Sequence, residues 1–403
     1  MICASISIGL IDYNEYNYQN KTHMRTLIID GNFFGQRVLR ALPNITFKAD
    51  PKNEAKEFIK ACCSHLANYL TSYSDGLENV VIVKDARSWR REIPIIRPNT
   101  TDVVADYKAN RDERLEEEVV DMGTFFKLLE FFFKKIATEF SVPYTCIQGA
   151  EGDDAIWAWT QILSQLKRYS VVYCTDSDLT QLVNPYTILH RQVKTKESPY
   201  NGEIVCDESY YDYVTKTTEY DIFDSSKSSF LTSEQTFMSG RELNKQVFIR
   251  NPYWLVLKKM IVGDPKDNIP PVYQWQKETK AGIQTRKVTE KMVENAIDGI
   301  FVGNWKTDEN LLYDDELLKM ILINIKRMNS LSEMDIDKAL AITVNNRKLL
   351  YLNKKEIPEK LVSDLVANIK PQLQKFANIA KLKSTVWLYN LFGIDSTTYF
   401  QAF

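Results

Sequence analysis

Three apolar, β-branched runs in this chain each end on acid: TLIID closes on Asp30, VVIVKD closes on Asp85, and VVYCTDSD carries Asp176 and Asp178. Short runs with no polar alternation are the signature of strands buried on both faces, as in a parallel sheet. Helix-spaced segments lie between and around them, at roughly 53 to 73, around 115 to 140, and from 155 to 169. The alternation predicts an α/β fold, a parallel-sheet core with helices on both faces.

In an open α/β sheet the ligand crevice lies beyond the carboxyl ends of the strands, where these acidic residues fall. At 403 residues the chain exceeds one typical domain, and 44% apolar with 12% aromatic content supports packed structure throughout. The 51 basic and 53 acidic residues nearly cancel, so a nucleic-acid partner would have to be recognised by local charge segregation. Cys3, Cys62, Cys63, Cys146, Cys174 and Cys206 form no CxxC or Cys/His zinc pattern, which suits a reducing cytoplasm. No apolar run reaches membrane-spanning length, and MICASISIGL lacks the basic leader of a secretory signal.

Residues 1–23 end in the polar stretch DYNEYNYQNKTH and read as an extension, either an arm or an upstream start. The α/β unit is expected over 24–250, with residues 200–250, including SSKSS, as an irregular insertion or connector. From Trp254 the pattern turns helical, giving a second region over 251–403 whose last part, with LVSDLVANI, reads as a small helical appendage.

The acidic candidates are Asp30, Asp85, Glu151, Asp153, Asp154, Asp176, Asp178, Asp264 and Asp267. Carboxylates without histidine or cysteine are the expected lining of a magnesium site. Crowded carboxylates repel one another, and two divalent ions would relieve that repulsion while stabilising both oxygens of a phosphodiester displacement. Each piece also has an ordinary reading. EGDD before an apolar helix is normal capping, TDSDLTQL could be a strand, turn and capped helix, and GDPKDNIP has turn chemistry throughout. Their joint placement at strand ends is harder to obtain from capping alone. His23, His65 and His190 show no ligand spacing.

The ordered set IIDGN, VKDARSWRR, YKANRDER, EGDDA, CTDSDLTQLV and VGDPKDNIP resembles the phage and bacterial 5′ nuclease family, which includes flap endonucleases, and most closely its phage ribonuclease H branch. The resemblance covers roughly residues 24–300. It implies a PIN-like core with an arch or gateway segment at about 86–120, a helix-turn-helix-type duplex-binding region and C-terminal helices. It also implies that Asp30, Asp85, Glu151, Asp153, Asp154 and Asp176 line a first metal site and Asp178, Asp264 and Asp267 a second, occupied by two Mg2+ ions for which Mn2+ would substitute. Activated water, not a serine, cysteine or histidine, is then the nucleophile.

A basic, aromatic-punctuated segment follows Asp85, with Arg87, Trp89, Arg90, Arg91 and Arg97, then Tyr107, Lys108, Arg111 and Arg114. Such residues can neutralise phosphates and stack on bases of a single-stranded 5′ end, although interleaved Asp102, Asp106, Asp112 and Glu113 fit a solvated surface equally well. The resemblance favours the first reading. It makes Lys108 and Arg111 the catalytic cations at the scissile phosphate, with Arg87, Arg90, Arg91 and Tyr107 on the same surface. FFKLLEFFFKK, at 125–135, has the spacing of a core helix.

WLVLKKMIVGDPKDNIP and TRKVTEKMVENAI resemble the family's duplex-gripping helices. That assigns nucleic-acid binding to Lys258 and Lys259, and to Arg286 and Lys287, which with Thr285 stand near a helix N-terminus whose amides could hold a phosphate. Relatives often have a compact Gly-x-Gly turn here, whereas this chain has Pro270, Pro271 and VYQWQKETKAGIQ. The implied activity is a 5′→3′ exonuclease and flap endonuclease with ribonuclease H activity, acting on DNA or RNA·DNA hybrid with a 5′ end or flap, in primer removal during phage replication. The protein is expected to be a monomer in the host cytoplasm. The C-terminal helices either dock a single-strand-binding protein or complete the core. Two rival readings are a PIN-type ribonuclease acting on RNA alone and a non-catalytic nucleic-acid-binding protein.

Overall fold

A computed structural model of the protein describes residues 25–72, 77–101, 103–109, 119–192, 202–207, 232–239, 242–249, 251–279, 282–301 and 309–394. The chain begins with β1 (Arg25–Asp30), α1 (Gly31–Arg40), α2 (Pro51–Ser72) and β2 (Leu77–Val83). The short strands β3 (Ile95–Ile96) and β4 (Val103–Val104) precede the aromatic helix α3 (Met122–Glu139), then β5 (Tyr144–Thr145), α4 (Gly152–Gln165), β6 (Tyr169–Cys174) and β7 (Thr187–Arg191). Next come β8 (Glu203–Asp207), β9 (Thr232–Ser239) and β10 (Glu242–Ile249).

These strands form an eight-stranded sheet ordered β5-β2-β1-β6-β7-β8-β10-β9. Its central pairs, β2 with β1, β1 with β6 and β6 with β7, are all parallel. The chain runs outward from β1 to β2 on one side and to β6 on the other, so the strand order reverses at β1, where such sheets open their crevice. Antiparallel pairing appears between β7 and β8 and between β9 and β10. The described part of 200–250 is therefore sheet edge, not an irregular insertion.

Two apolar layers cover the sheet. One packs α1, α2 and α3 through Phe34, Phe58, Phe125 and Phe132; the other packs α4 through Ile156, Trp159 and Leu163. FFKLLEFFFKK is a core helix, with Phe125, Leu128, Leu129, Phe132 and Phe133 buried. Burial of this kind contributes roughly 25 cal/mol per Å² of apolar surface.

The helical region contains α5 (Pro252–Val262), the antiparallel strands β11 (Gln274–Thr279) and β12 (Gly282–Lys287), α6 (Glu290–Phe301), α7 (Asp315–Met328) and α8 (Ile336–Leu350). They share their own core around Trp254, Leu257, Ile297 and Ile321. The region drawn as 251–403 divides beyond this point. Leu361, Val362 and Leu365 of α9 (Glu359–Ile369) pack on the α4 face of the sheet, while Leu388 and Phe392 of α10 (Thr385–Phe392) pack on the α2 and α3 face. The C-terminal helices thus complete the core of the α/β unit, because both of its faces leave apolar surface for them to cover. No described helix is long and apolar enough to cross a membrane.

Candidate active site

Asp30 is the last residue of β1 and caps α1, its carboxylate accepting from the Phe33 N–H at 3.0 Å. The tight passage from strand to helix requires Gly31, where a Cβ would lie 2.7 Å from the Val83 carbonyl oxygen and from the Phe133 ring. Asp85 follows β2 and accepts from the Gly152 N–H and the Asn32 side-chain amide. A Cβ on Gly152 would stand 2.6 Å from Asp85 Oδ1, so the glycine of EGDD is what lets the α4 N-terminus close on that carboxylate. Glu151, Asp153 and Asp154 open α4, and Asp176 follows β6, accepting from the Asp178 N–H at 2.9 Å.

Electrostatics show how close these groups stand. Burial first, then Asp85 and Asp176, pushes the Asp30 carboxyl up to about 7. Asp153 is held well above the usual carboxylate range by burial and by Asp176, Asp85 and Glu151, with Lys108 opposing. Asp85 reaches solvent in the crevice, yet it too is raised, by the surrounding protein and by Glu151 against Lys108, Gly152 and Asn32. Asp30, Asp85, Glu151, Asp153 and Asp176 therefore share one crevice. Burial opposes ionisation of Glu151, but Lys108 and Arg90 outweigh it and hold its carboxyl low.

Asp154 is engaged differently. Both of its oxygens receive Arg90, at 2.8 and 2.9 Å, and it also accepts from Trp89 Nε1 at 3.2 Å and from the Glu151 N–H at 3.1 Å. Arg90 also reaches Glu151 at 3.2 Å. EGDD is thus both a helix cap and a wall of the crevice.

The GDPKDN turn supplies a second group. Asp264 and Asp178 share the ammonium of Lys259, with Asp264 at 3.3 Å. Asp267 lies 3.8 Å from Lys108 Nζ, and Lys108 also pairs with Glu151. The Lys108 N–H donates to the Asp267 carbonyl at 3.0 Å, so Lys108, at a positive φ of 59°, ties the second group to the first. A cavity of about 280 Å³ adjoins the Asp178 side, lined by Arg191, Lys258 and Lys259.

Among the described residues, no three acidic, histidine or cysteine side chains form a ready-made metal cage. The donors nevertheless fit magnesium, which keeps several waters and needs only one or two direct carboxylates. Asn32 Oδ1, buried beside Asp85 with no hydrogen-bond partner, is a further oxygen donor at this spot. Its role escaped the sequence reading although it closes IIDGN. His65 and His190 are half-buried, and both are lowered to about 4 by desolvation and by Arg37, as residues packed beside the core would be.

The candidate cations divide. Arg87 is exposed and Arg91 partly so. Arg90 is 1% exposed and Tyr107 is 5% exposed, so neither offers the surface contact expected of it. Arg90 is committed to carboxylates, and the Tyr107 hydroxyl donates toward Glu151 and Asp267 at 3.4 and 3.5 Å. Lys258 pairs with Glu294 at 2.9 Å, and Lys259 points into the acidic group. Thr285, Arg286 and Lys287 lie on the exposed strand β12, close ahead of the N-terminus of α6, which begins at Glu290. Arg111 and Arg114 lie outside the described residues.

Residues 25–210 match the family model for the 5′-3′ exonuclease, N-terminal resolvase-like domain. No curated protein sequence matches the chain. Among solved structures, the T5 D15 protein co-crystallised with metal ions is 15% identical, with a TM-score of 0.45, covering 87% of this chain and 100% of that one. The bacteriophage T5 D15 flap endonuclease, in a pseudo-enzyme-product complex with DNA and metal ions, is 16% identical with a TM-score of 0.48 over the same shares. T5 5′-exonuclease with bound zinc is 16% identical with a TM-score of 0.47, covering 92% of this chain and 100% of that one. Likeness at this level carries no inference about substrate. From β1 through β8, residues 25–210 belong to the 5′-3′ exonuclease N-terminal, resolvase-like domain family.

Proposed function

We propose that the protein is a magnesium-dependent 5′→3′ exonuclease and flap endonuclease, cutting DNA or the RNA strand of RNA·DNA hybrid near a 5′ end. The observation that carries this reading is the delivery of Asp30, Asp85, Asp153 and Asp176 from four separate segments into one crevice, where Asp85 and Asp176 add to burial in raising the carboxyls of Asp30 and Asp153. Such crowding serves a binding protein poorly, because it repels phosphate. Asp30, Asp85, Glu151, Asp153 and Asp176 would hold one ion, and Asp178, Asp264 and Asp267 the other. When bound, divalent ions make water a usable nucleophile and stabilise the attacking and leaving oxygens.

The chain's own groups do the rest. Gly152 and Asn32 orient Asp85, and the Arg90 pair with Asp154 anchors the α4 N-terminus. Lys108, held by Glu151 and Asp267, is placed to offset charge on the phosphate being cut. Primer removal in phage DNA replication is the role that suits such an activity.

The test is purified protein with 5′-labelled flap DNA, RNA·DNA hybrid and single-stranded RNA, each with magnesium or chelator. Short 5′ products from the flap and the hybrid, with magnesium only, are expected. Cleavage of single-stranded RNA alone would indicate a PIN-type ribonuclease, and no cleavage of any substrate would indicate a non-catalytic binder.

A further inference from the structure

Two adjacent side chains of α8, Asn345 and Asn346, are 8% and 0% exposed, and both give their amides to the backbone of other segments. Asn345 faces the foot of the gateway segment. Its Oδ1 accepts from the Ile96 N–H at 3.2 Å and its Nδ2 donates to the Pro94 carbonyl at 2.9 Å, so the amide pairs with β3 as a neighbouring strand would. On its other side β3 is joined to β4, and Lys108 follows four residues after β4 ends. Asn346 faces the acidic turn. Its Nδ2 donates to the Met260 carbonyl at 2.9 Å, in the last turn of α5, and to the Pro270 carbonyl at 2.8 Å, just past GDPKDNIP's Ile269.

The two segments held by α8 also meet each other. The Lys108 N–H donates to the Asp267 carbonyl and Asn268 Nδ2 to the Asp106 carbonyl, both at 3.0 Å. Behind this junction Ile95 and Tyr107 of the gateway segment, Ile269 of the turn, and Leu349 and Leu350 of α8 form a small core of their own. Asn345 and Leu349, like Asn346 and Leu350, are four residues apart, so the four side chains make two neighbouring rows on one helix face. Packing by itself does not call for amides here. Asn346 Oδ1 is buried with no hydrogen-bond partner, a cost that an apolar side chain would avoid. What the amides add is direction, because a hydrogen bond fixes distance and angle where apolar contact does not.

We infer that Asn345 is a positioning residue for cleavage: by clamping the backbone of Pro94 and Ile96 to α8, it fixes where Lys108 stands against Glu151 and Asp267. The inference rests on the nuclease reading. Asn346 ties the acidic turn to the same helix, so α8 is the common frame in which the Lys108 ammonium and the second carboxylate group are set. The end of that helix carries the frame to Asp178 as well. Gln181 Nε2 donates to the Leu350 carbonyl at 3.0 Å and to the Asp178 carbonyl at 2.8 Å, while its Oε1 accepts from the Leu352 N–H at 2.8 Å. A clamp on backbone at this distance from the phosphate acts on the geometry of the chemical step, which is sensitive to displacements of about 1 Å.

The experiment is a double-mutant cycle on the full-length chain: wild type, Asn345→Ala, Lys108→Ala and the double variant. Single-turnover cleavage of 5′-labelled flap DNA is measured with magnesium at saturating protein, and affinity for the same DNA by fluorescence anisotropy in chelator. Thermal melting verifies folding, and Asn345→Ser, too short to reach both backbone partners, replaces the alanine variant if that one melts below the assay temperature. Asn345→Ala is expected to cut ~tenfold more slowly than wild type with affinity within ~threefold, yet to slow Lys108→Ala by less than ~twofold, since the group it positions is then gone. A wild-type rate, a parallel loss of rate and affinity, or an equal slowing in both backgrounds, as general loss of structural support would give, would overturn the inference. If the unaltered protein cleaves no flap DNA with magnesium, the nuclease reading fails and this inference with it; if it cleaves and Asn345→Ala matches it, only the positioning role fails.

Discussion

The guanidinium of Arg90 grips the Asp154 carboxylate through two hydrogen bonds, of 2.9 and 2.8 Å, with the side chains 1% and 0% exposed. Neither charge can be left alone in such a place. Removing one partner of a buried pair costs about 3–5 kcal/mol, because the other remains desolvated and unpaired. Arg90→Ala is expected to lose that much in urea unfolding, whereas the paired change R90M/D154L should lose much less than the two single changes summed. A loss below ~1 kcal/mol for Arg90→Ala would mean that the pair does not anchor the α4 N-terminus.

Gly152 fixes a shorter contact. An alanine there would drive its Cβ to 2.6 Å from Asp85 Oδ1, so Asp85 must move. Displacing a reacting group by about 1 Å costs on the order of 100-fold in rate. Gly152→Ala is expected to slow single-turnover cleavage by about that factor while the melting temperature changes little. Cleavage within a few-fold of wild type would show that Asp85 does not need its observed position.

Asp30 gives a pH dependence with a definite sign. In the folded, metal-free protein its carboxyl titrates near 7, raised from an ordinary 3.8. The folded state keeps a proton that the unfolded chain releases across that window, so stability falls as pH climbs through it. Asp30→Asn removes this dependence. At pH 7.5 the metal-free variant is expected to melt higher than wild type by about 5 °C, with the gap closing toward pH 4. Differential scanning calorimetry across that range checks it, and a wild type that melts higher at pH 7.5 would contradict it.

Lys108 is set between Glu151 and Asp267 at the foot of the gateway segment. Its removal should act on the chemical step more than on affinity. Lys108→Ala is expected to lower single-turnover rate by on the order of 100-fold, with duplex affinity changed by less than ~threefold. A large loss of affinity with an unchanged rate would make Lys108 a binding residue only.

Much of this site was legible beforehand because its strands announce themselves. TLIID, VVIVKD and VVYCTDSD are so uniformly apolar that both strand and buried sheet could be assigned, which placed Asp30, Asp85 and Asp176 at one edge. Burial of Arg90 was not legible. Its partner lies 64 residues away, and the spacing of charges in VKDARSWRR is the same for a buried pair as for a phosphate-binding surface. The ribbon formed by β11 and β12 was missed for a related reason. QWQKETKAGIQTRK is polar on both faces, so no period-two pattern marks it, and the flanking helices suggested a direct helix-turn-helix. In LVSDLVANI the apolar spacing identified α9 as a helix without indicating which core it would join; Leu361 and Leu365 join the sheet.

The central claim is that carboxylates from distant segments form one site that works only with divalent cations. The direct measurement is single-turnover cleavage of a 5′-labelled flap DNA by wild type and Asp176→Asn, with magnesium and with chelator, beside the affinity of each protein for the same DNA. Cleavage by wild type with magnesium alone, and none by Asp176→Asn despite affinity within ~threefold of wild type, is the predicted result. Cleavage that persists in chelator, or an Asp176→Asn variant that cuts at the wild-type rate, would contradict it.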